Sequence, residues 1–138
     1  MRDQFRIFYT QYLLTFGAPS KSARPNCDLL AALLKSRWIY GISIVQGAKL
    51  IGFCIYSRTY SPMTRSRAFS LDDIFVAQSF RRAGLASLMI NALAERARAL
   101  DVMRIYVNTD ASDRMLMRFY SRNGFVNGNA SILLLRIN

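Results

Sequence analysis

A chain of 138 residues, 52% apolar and 12% aromatic, has the length of one ordinary domain and the composition of a packed globule, which excludes a disordered or fibrous protein. Histidine is absent, and the two cysteines, Cys27 and Cys54, form no CxxC pair, which argues against zinc sites and against histidine-based catalysis. The net charge of +11 rests mainly on arginine, since Lys21, Lys35 and Lys49 are the lysines, and this favours phosphate-bearing partners without choosing a nucleic acid over a small polyanion.

The start, Met1-Arg2-Asp3-Gln4, leads into alternating polar and aromatic residues with no leucine-rich signal core. No apolar run approaches the ~18 residues needed to span a bilayer. A cytoplasmic location, with both thiols reduced and no membrane partner, is the expectation.

Phe5, Phe8, Tyr9, Tyr12, Leu13 and Phe16 recur at helical spacing over residues 4–16 and Gly17 stops the run, which predicts an aromatic-faced helix. A loop from Ala18 to Pro25 follows. Asn26 then caps a short second helix with Leu29, Leu30, Leu33 and Leu34 on its buried side. From Trp38 the period becomes β-like: strands over Ile39–Gln46 and Leu50–Ser57 flank a turn at Gln46-Gly47-Ala48-Lys49 and read as a hairpin.

A polar loop from Thr59 to Arg67 leads to a third strand, Ala68–Val76. Alternation places Phe69, Leu71, Asp73 and Phe75 on one of its faces and Ser70, Asp72, Ile74 and Val76 on the other. After a turn at Gly84, Leu85, Leu88, Met89, Ala92, Leu93, Ala97 and Leu100 share one helical face. Val102–Val107 reads as a strand, and Ser112 as the cap of a helix carrying Leu116, Phe119 and Tyr120 that Asn123-Gly124 ends. Phe125-Val126, a turn at Asn127-Gly128 and Ile132–Ile137 form a final β pair. Residues 1–138 thus make one α/β domain of mixed α+β character, with a mostly antiparallel sheet and a strand-helix-strand crossover over residues 68–107.

The segment Val76-Ala77-Gln78-Ser79-Phe80-Arg81-Arg82-Ala83-Gly84-Leu85-Ala86 joins a strand to a helix. Gly84 and Ala86 leave little side chain over the backbone, so the amides of Arg82, Ala83, Gly84, Leu85, Ala86 and Ser87 can approach an anion at the positive end of the helix dipole. That is a seat for a pyrophosphate, with Arg81 and Arg82 beside it; alternatively, Gly84 only starts a tightly packed helix. Asp72 and Asp73 are costly on a mid-domain strand unless paired, hydrated or functional, and ion pairs to Arg67 or Arg81 are the bland account. Tyr120 is either a core tyrosine or a phenol able to donate a proton. Asn108 closes a strand, where asparagine commonly serves a turn. The arginines Arg2, Arg24, Arg37, Arg58, Arg96, Arg104 and Arg136 read as scattered.

This order of elements resembles the GNAT superfamily of acetyl-coenzyme-A-dependent N-acetyltransferases. Arg81-Arg82-Ala83-Gly84-Leu85-Ala86 is similar to the family's Arg/Gln-x-x-Gly-x-Gly/Ala loop, and Phe119-Tyr120-Ser121-Arg122-Asn123-Gly124-Phe125 to its Phe-Tyr-x-x-x-Gly-Phe segment. Leu71-Asp72-Asp73-Ile74-Phe75-Val76 looks like the Leu-Glu-Asp-Leu-Phe-Val strand of the diamine acetyltransferase-like branch. The resemblance covers residues 4–138, most strongly 69–125, with the family's first strand missing; an edge left exposed by that would favour a homodimer.

What the resemblance implies is an acyl-CoA N-acyltransferase fold and acetyl-CoA as cosubstrate, without a metal. The loop amides would hold the pyrophosphate, and the backbone of Ile74, Phe75 and Val76 the pantetheine arm. Asn108 would lie near the thioester, and Asp113 stands where relatives carry a cofactor-binding Asn. Tyr120 would be the general acid. Asp72, or water on it, would take the amine's proton, and Asp72, Asp73 and Tyr60 would face the acceptor. The acceptor is expected to be a small primary amine. Two alternatives stay open: an amine carried on RNA, such as aminoacyl-tRNA, suited to a basic surface that repels polyamines, and a non-catalytic coenzyme A sensor.

Overall fold

The computed structural model describes residues 32–128, 133 and 135–137. The helix expected over residues 4–16, the loop after it and the Asn26 cap lie outside the described residues, as does Cys27. The chain divides into two compact units, Met1–Asn108 and Thr109–Asn138.

In the first unit, a helical turn over residues 32–35 precedes strand β1, Tyr40–Gln46, which pairs antiparallel with β2, Lys49–Ser61, around Gly47 at φ +59°. Leu34, expected to be buried, is exposed. Every residue of β2 from Leu50 to Tyr56 is buried, so this strand is covered on both faces, as its unbroken apolar run requires. Strand β3, Ser66–Val76, lies antiparallel on the far side of β2, and β4, Arg104–Val107, lies parallel to β3, giving the order β1-β2-β3-β4.

Helix α1, Leu85–Ala99, makes the crossover between the two parallel strands. One side of the sheet packs Phe53 against Phe75, with ring centres 6.1 Å apart and Leu50 and Ile55 beside them. The Tyr56 and Phe69 rings meet at 4.8 Å, and Met89 of α1 comes down on Gly52, where a β-carbon would meet its Cε at 3.4 Å. Burial pushes the Cys54 thiol up to about 11 from an ordinary value of 9.0, so it is an inert core group.

Three expectations shift here. The polar stretch read as a loop from Thr59 to Arg67 is mostly strand, with a turn of residues 62–65 only. Its ladder runs from Arg58↔Phe69 to Ser61↔Ser66, and Ser61, fully buried, shares a 2.7 Å hydrogen bond with the Tyr106 hydroxyl. Polarity misled because a paired hairpin tolerates polar side chains on an open face. In α1 the buried stripe is Met89, Ile90, Leu93 and Ala97, whereas Leu88 is 56% exposed and Ala92 exposed. The helix is turned so that Met89 fills the gap over Gly52. The strand expected over Val102–Val107 begins only at Arg104, since the Val102 N–H closes the end of α1 on the Ala97 carbonyl at 2.8 Å.

In the second unit, helix α2 spans Arg114–Arg122. Its cap is Asp113, whose carboxylate accepts from the Leu116 N–H at 3.0 Å, and not Ser112. Ser112 precedes the cap and is held by Asp110, to which its N–H and hydroxyl both donate, keeping that exposed carboxyl below its usual range. The final β pair is not found: of residues 125–128, 133 and 135–137 none is in a strand, and Val126, Leu133, Leu135 and Ile137 are exposed. Among the described residues those backbone groups have no ladder to join, and the rest of that pair lies outside them.

Candidate functional site

The sheet opens where β4 stops. Pairing between the parallel strands runs only from Ala68↔Arg104 to Leu71↔Val107, while β3 continues to Val76. Asn108 follows Val107 and so stands at the fork beside Asp72. On the other side of β3 the ladder to β2 steps from Ile55↔Asp73 to Tyr56↔Leu71, leaving Asp72 as the extra residue of a bulge. The Ala77 N–H donates to the Ile51 carbonyl at 2.9 Å. Alternation along the ladder then turns the backbone groups of Ile74 and Val76 to the open edge past β4. The N–H and carbonyl of Ile74 and the N–H of Val76 are thereby offered to an extended ligand arm, while the Val76 carbonyl is taken by the Arg81 side chain.

At the bulge, Asp72 is exposed and accepts a 3.0 Å hydrogen bond from the Ser70 hydroxyl. It makes no ion pair among the described residues, so for Asp72 the bland expectation of a bridge to Arg67, Arg81 or another nearby arginine is not met there. Asp73 is half-buried and engaged. Tyr60 is 61% exposed and pairs with Arg67, four residues along β2 from Tyr56 and therefore about 13 Å from the bulge. The structure does not bring it to Asp72.

Beyond Val76 the chain makes a short 3-10 turn, Gln78–Phe80, then runs extended through Arg81. Arg82 at φ +62° and Gly84 at φ +77° both take the left-handed conformation. This reversal feeds the chain into α1 with Gly84 as N-cap, with no side chain capping the helix and no acidic residue in its first turn. The N–H groups of Arg82, Ala83, Gly84, Leu85, Ala86 and Ser87 donate to no acceptor among the described residues; the Leu88 N–H, bonded to Gly84 at 2.9 Å, is the first one used. A β-carbon at Gly84 would meet nothing within 4 Å, so the space over this row is open. Six unanswered donors at the positive end of a helix suit one multiply charged anion, and a pyrophosphate fits them.

Arg81 has a more particular task than charge. Its Nε–H donates to the Val76 carbonyl at 2.8 Å, and its guanidinium lies 5.0 Å from the centre of the Phe75 ring. The side chain therefore straps the loop to the last residue of β3, while Arg82 is exposed at the bend.

In the second unit, α2 ends in a closed pattern. The Gly124 N–H donates to Ser121 at 3.0 Å and the Phe125 N–H to Tyr120 at 3.0 Å, with Gly124 at φ +90°. This is a Schellman motif, in which the residue after the glycine packs on the residue three places inside the helix. Those two residues are Phe125 and Tyr120, whose rings meet edge to face at 5.3 Å, with Phe119 5.2 Å away on the other side. The spacing Tyr-x-x-x-Gly-Phe is thus the geometry of a helix stop that clamps one ring. Tyr120 is buried and Asp113 serves as the cap of the same helix.

One feature had escaped the sequence reading. A concavity of about 430 Å³ on α2 is lined by Met115, Arg118, Ser121 and Arg122. Its signal, basic residues four apart in one helix, was readable. Among the described residues no group of three or more His, Cys, Asp or Glu is placed to hold a metal ion, and no helix is long and apolar enough to cross a membrane.

Residues 5–125 match the model of the acetyltransferase (GNAT) family. No curated protein matches the chain. Among solved structures, a probable acetyltransferase is 22% identical with a TM-score of 0.83, covering 99% of this chain and 92% of its own. A ribosomal-protein-alanine N-acetyltransferase from Brucella melitensis biovar Abortus 2308 is 22% identical with a TM-score of 0.79 over the same shares. An aminoglycoside acetyltransferase from an uncultured soil metagenomic sample, crystallised with trehalose, is 15% identical with a TM-score of 0.81, covering 99% of this chain and 90% of its own. At these identities the three structures speak for the fold.

Proposed function

The chain belongs to the acetyltransferase (GNAT) family and is an acetyl-CoA-dependent N-acetyltransferase, and from that premise we propose that it acetylates a small primary amine by direct attack on the thioester. The observation that carries the reading is the row of six N–H groups from Arg82 to Ser87 with no acceptor among the described residues, beneath open space at Gly84. These amides would bind the pyrophosphate, and the open edge of β3, at the Ile74 peptide groups and the Val76 N–H, would hold the pantetheine arm. The family match runs across both compact units, which supports treating residues 1–138 as one domain.

In this reading Asp72 holds the acceptor's ammonium at the bulge and passes its proton to water, leaving the nitrogen lone pair free to attack the carbonyl carbon. As the new C–N bond forms and the C–S bond breaks, Tyr120 gives its phenolic proton to the departing sulfur, and the second proton shed by the acylated nitrogen returns through water to the phenolate, leaving a neutral amide and a free thiol. Asn108, at the fork, faces the reacting carbonyl. Neighbours of the same fold are named for aminoglycoside and ribosomal-protein-alanine acceptors, so both small and protein-borne amines belong in the trial. The charge of +11 favours a second reading, in which the amine is carried on RNA such as aminoacyl-tRNA.

Thiol release from acetyl-CoA over a panel of amines tests the activity. Turnover is expected with at least one primary amine, and Asp72→Asn should lower kcat/KM for it by about tenfold or more. No turnover with any amine, together with no heat of coenzyme A binding, would remove the reading. Arg81→Lys keeps the charge and loses the Nε strap, so KM for acetyl-CoA should rise about tenfold, equivalent to about 1.4 kcal/mol. An unchanged KM would mean that Arg81 acts by charge alone.

A further inference from the structure

Helix α2 carries arginine at positions 114, 118 and 122, four residues apart on one exposed face. With a rise of 1.5 Å per residue, the three Cα atoms form a ridge about 12 Å long. Like charges at this spacing cost a few tenths of a kcal/mol per pair, and Arg114 also sits at the positive end of the helix dipole, where a cation is unfavourable. No carboxylate within the helix relieves them, and none of the three forms an ion pair among the described residues. Helix stability does not explain the ridge.

We propose that this face binds the phosphate backbone of single-stranded RNA. The proposal goes beyond acetyl transfer to a small amine and stands or falls separately from it. A ridge of three charges over about 12 Å is longer than one phosphate or pyrophosphate, so it calls for a ligand whose charge repeats along its length. Arginine is suited to this because its planar fork bonds phosphate oxygens in pairs. The concavity of about 430 Å³ beside the ridge supplies the second element. Met115, 76% exposed, and Ser121 line it together with Arg118 and Arg122. An unstacked base can rest on a thioether and a guanidinium plane, and bases are available in that way on single-stranded RNA.

A lipid surface fits less well. Interfacial helices bury an apolar face in lipid, whereas among the apolar residues of α2 Leu116 and Phe119 are half-buried, Tyr120 is buried, and Met115 is exposed.

The test is fluorescence anisotropy of a fluorescein-labelled oligouridine RNA with the full chain, over a series of salt concentrations. Two variants of equal charge are compared: Arg114→Gln with Arg118→Gln and Arg122→Gln, and the control Arg37→Gln with Arg65→Gln and Arg96→Gln, exposed arginines of the first unit. The ridge variant should bind about tenfold or more weakly, and its salt slope should flatten by about 2, the share of three phosphates on a single strand. The control should lose less than about threefold. Melting temperatures of both variants check that they remain folded. Equal losses in the two variants would overturn the proposal, as would a wild-type chain that leaves the RNA free. It would also fall if the ridge variant bound RNA normally but lost binding to anionic vesicles, or instead showed a raised KM for acetyl-CoA.

Discussion

Tyr120→Phe should lower kcat for acetyl transfer by about 10² to 10³, the usual worth of a positioned general acid, with little change in KM for acetyl-CoA. The thiolate leaving a thioester needs a proton, and a phenol, whose ordinary pKa is about 10, keeps one to give at neutral pH. The variant isolates the hydroxyl because the ring has its own supports: Phe125 and Phe119 meet it edge to face on two sides, and phenylalanine fills the same space. Steady-state thiol release, run beside a thermal melt, makes the measurement. A fall in kcat of less than about threefold in a protein that melts normally would remove Tyr120 from the chemistry.

The second large effect is expected at the phosphate seat. Gly84→Asp places a carboxylate over the row of amide donors, and KM for acetyl-CoA should rise by about 100-fold or more, or about 2.7 kcal/mol. The companion Gly84→Asn has the same shape without the charge and should raise KM by only about tenfold. Aspartate and asparagine tolerate a left-handed backbone better than other side chains, and no atom lies within 4 Å of the added β-carbon. Both variants carry the same strain at this left-handed N-cap, so a thermal melt of each checks that α1 remains folded and their difference reads the charge. Equal effects from the two variants would mean that backbone strain, not anion repulsion, governs the site.

The elements that position this site were legible where one physical pattern dominated. Alternation marked β3, a helical stripe marked α1, and Gly84 and Gly124 announced backbone conformations that other residues resist. What the pattern missed depended on partners elsewhere in the chain. A bulge at Asp72 is one extra residue in an otherwise regular alternation, visible only when the register to β2 is known. The strap from Arg81 to Val76 joins residues five apart across a turn whose path no periodicity describes. Asp113 and not Ser112 is the cap because the helix begins one residue later, at Arg114, and two adjacent residues that both make good caps leave that boundary open in the sequence. The arginine ridge has a simpler reason: its charges are spread along the chain and gather only around a helix.

The stop at Gly124 makes the bearing of a phenol depend on an achiral residue four places downstream. A change there would leave the hydroxyl, its acidity and its neighbours in the chain untouched, yet turn the ring away from its line. Loss of activity in natural variants of this chain is therefore to be sought at an atom that takes no part in any bond being made or broken.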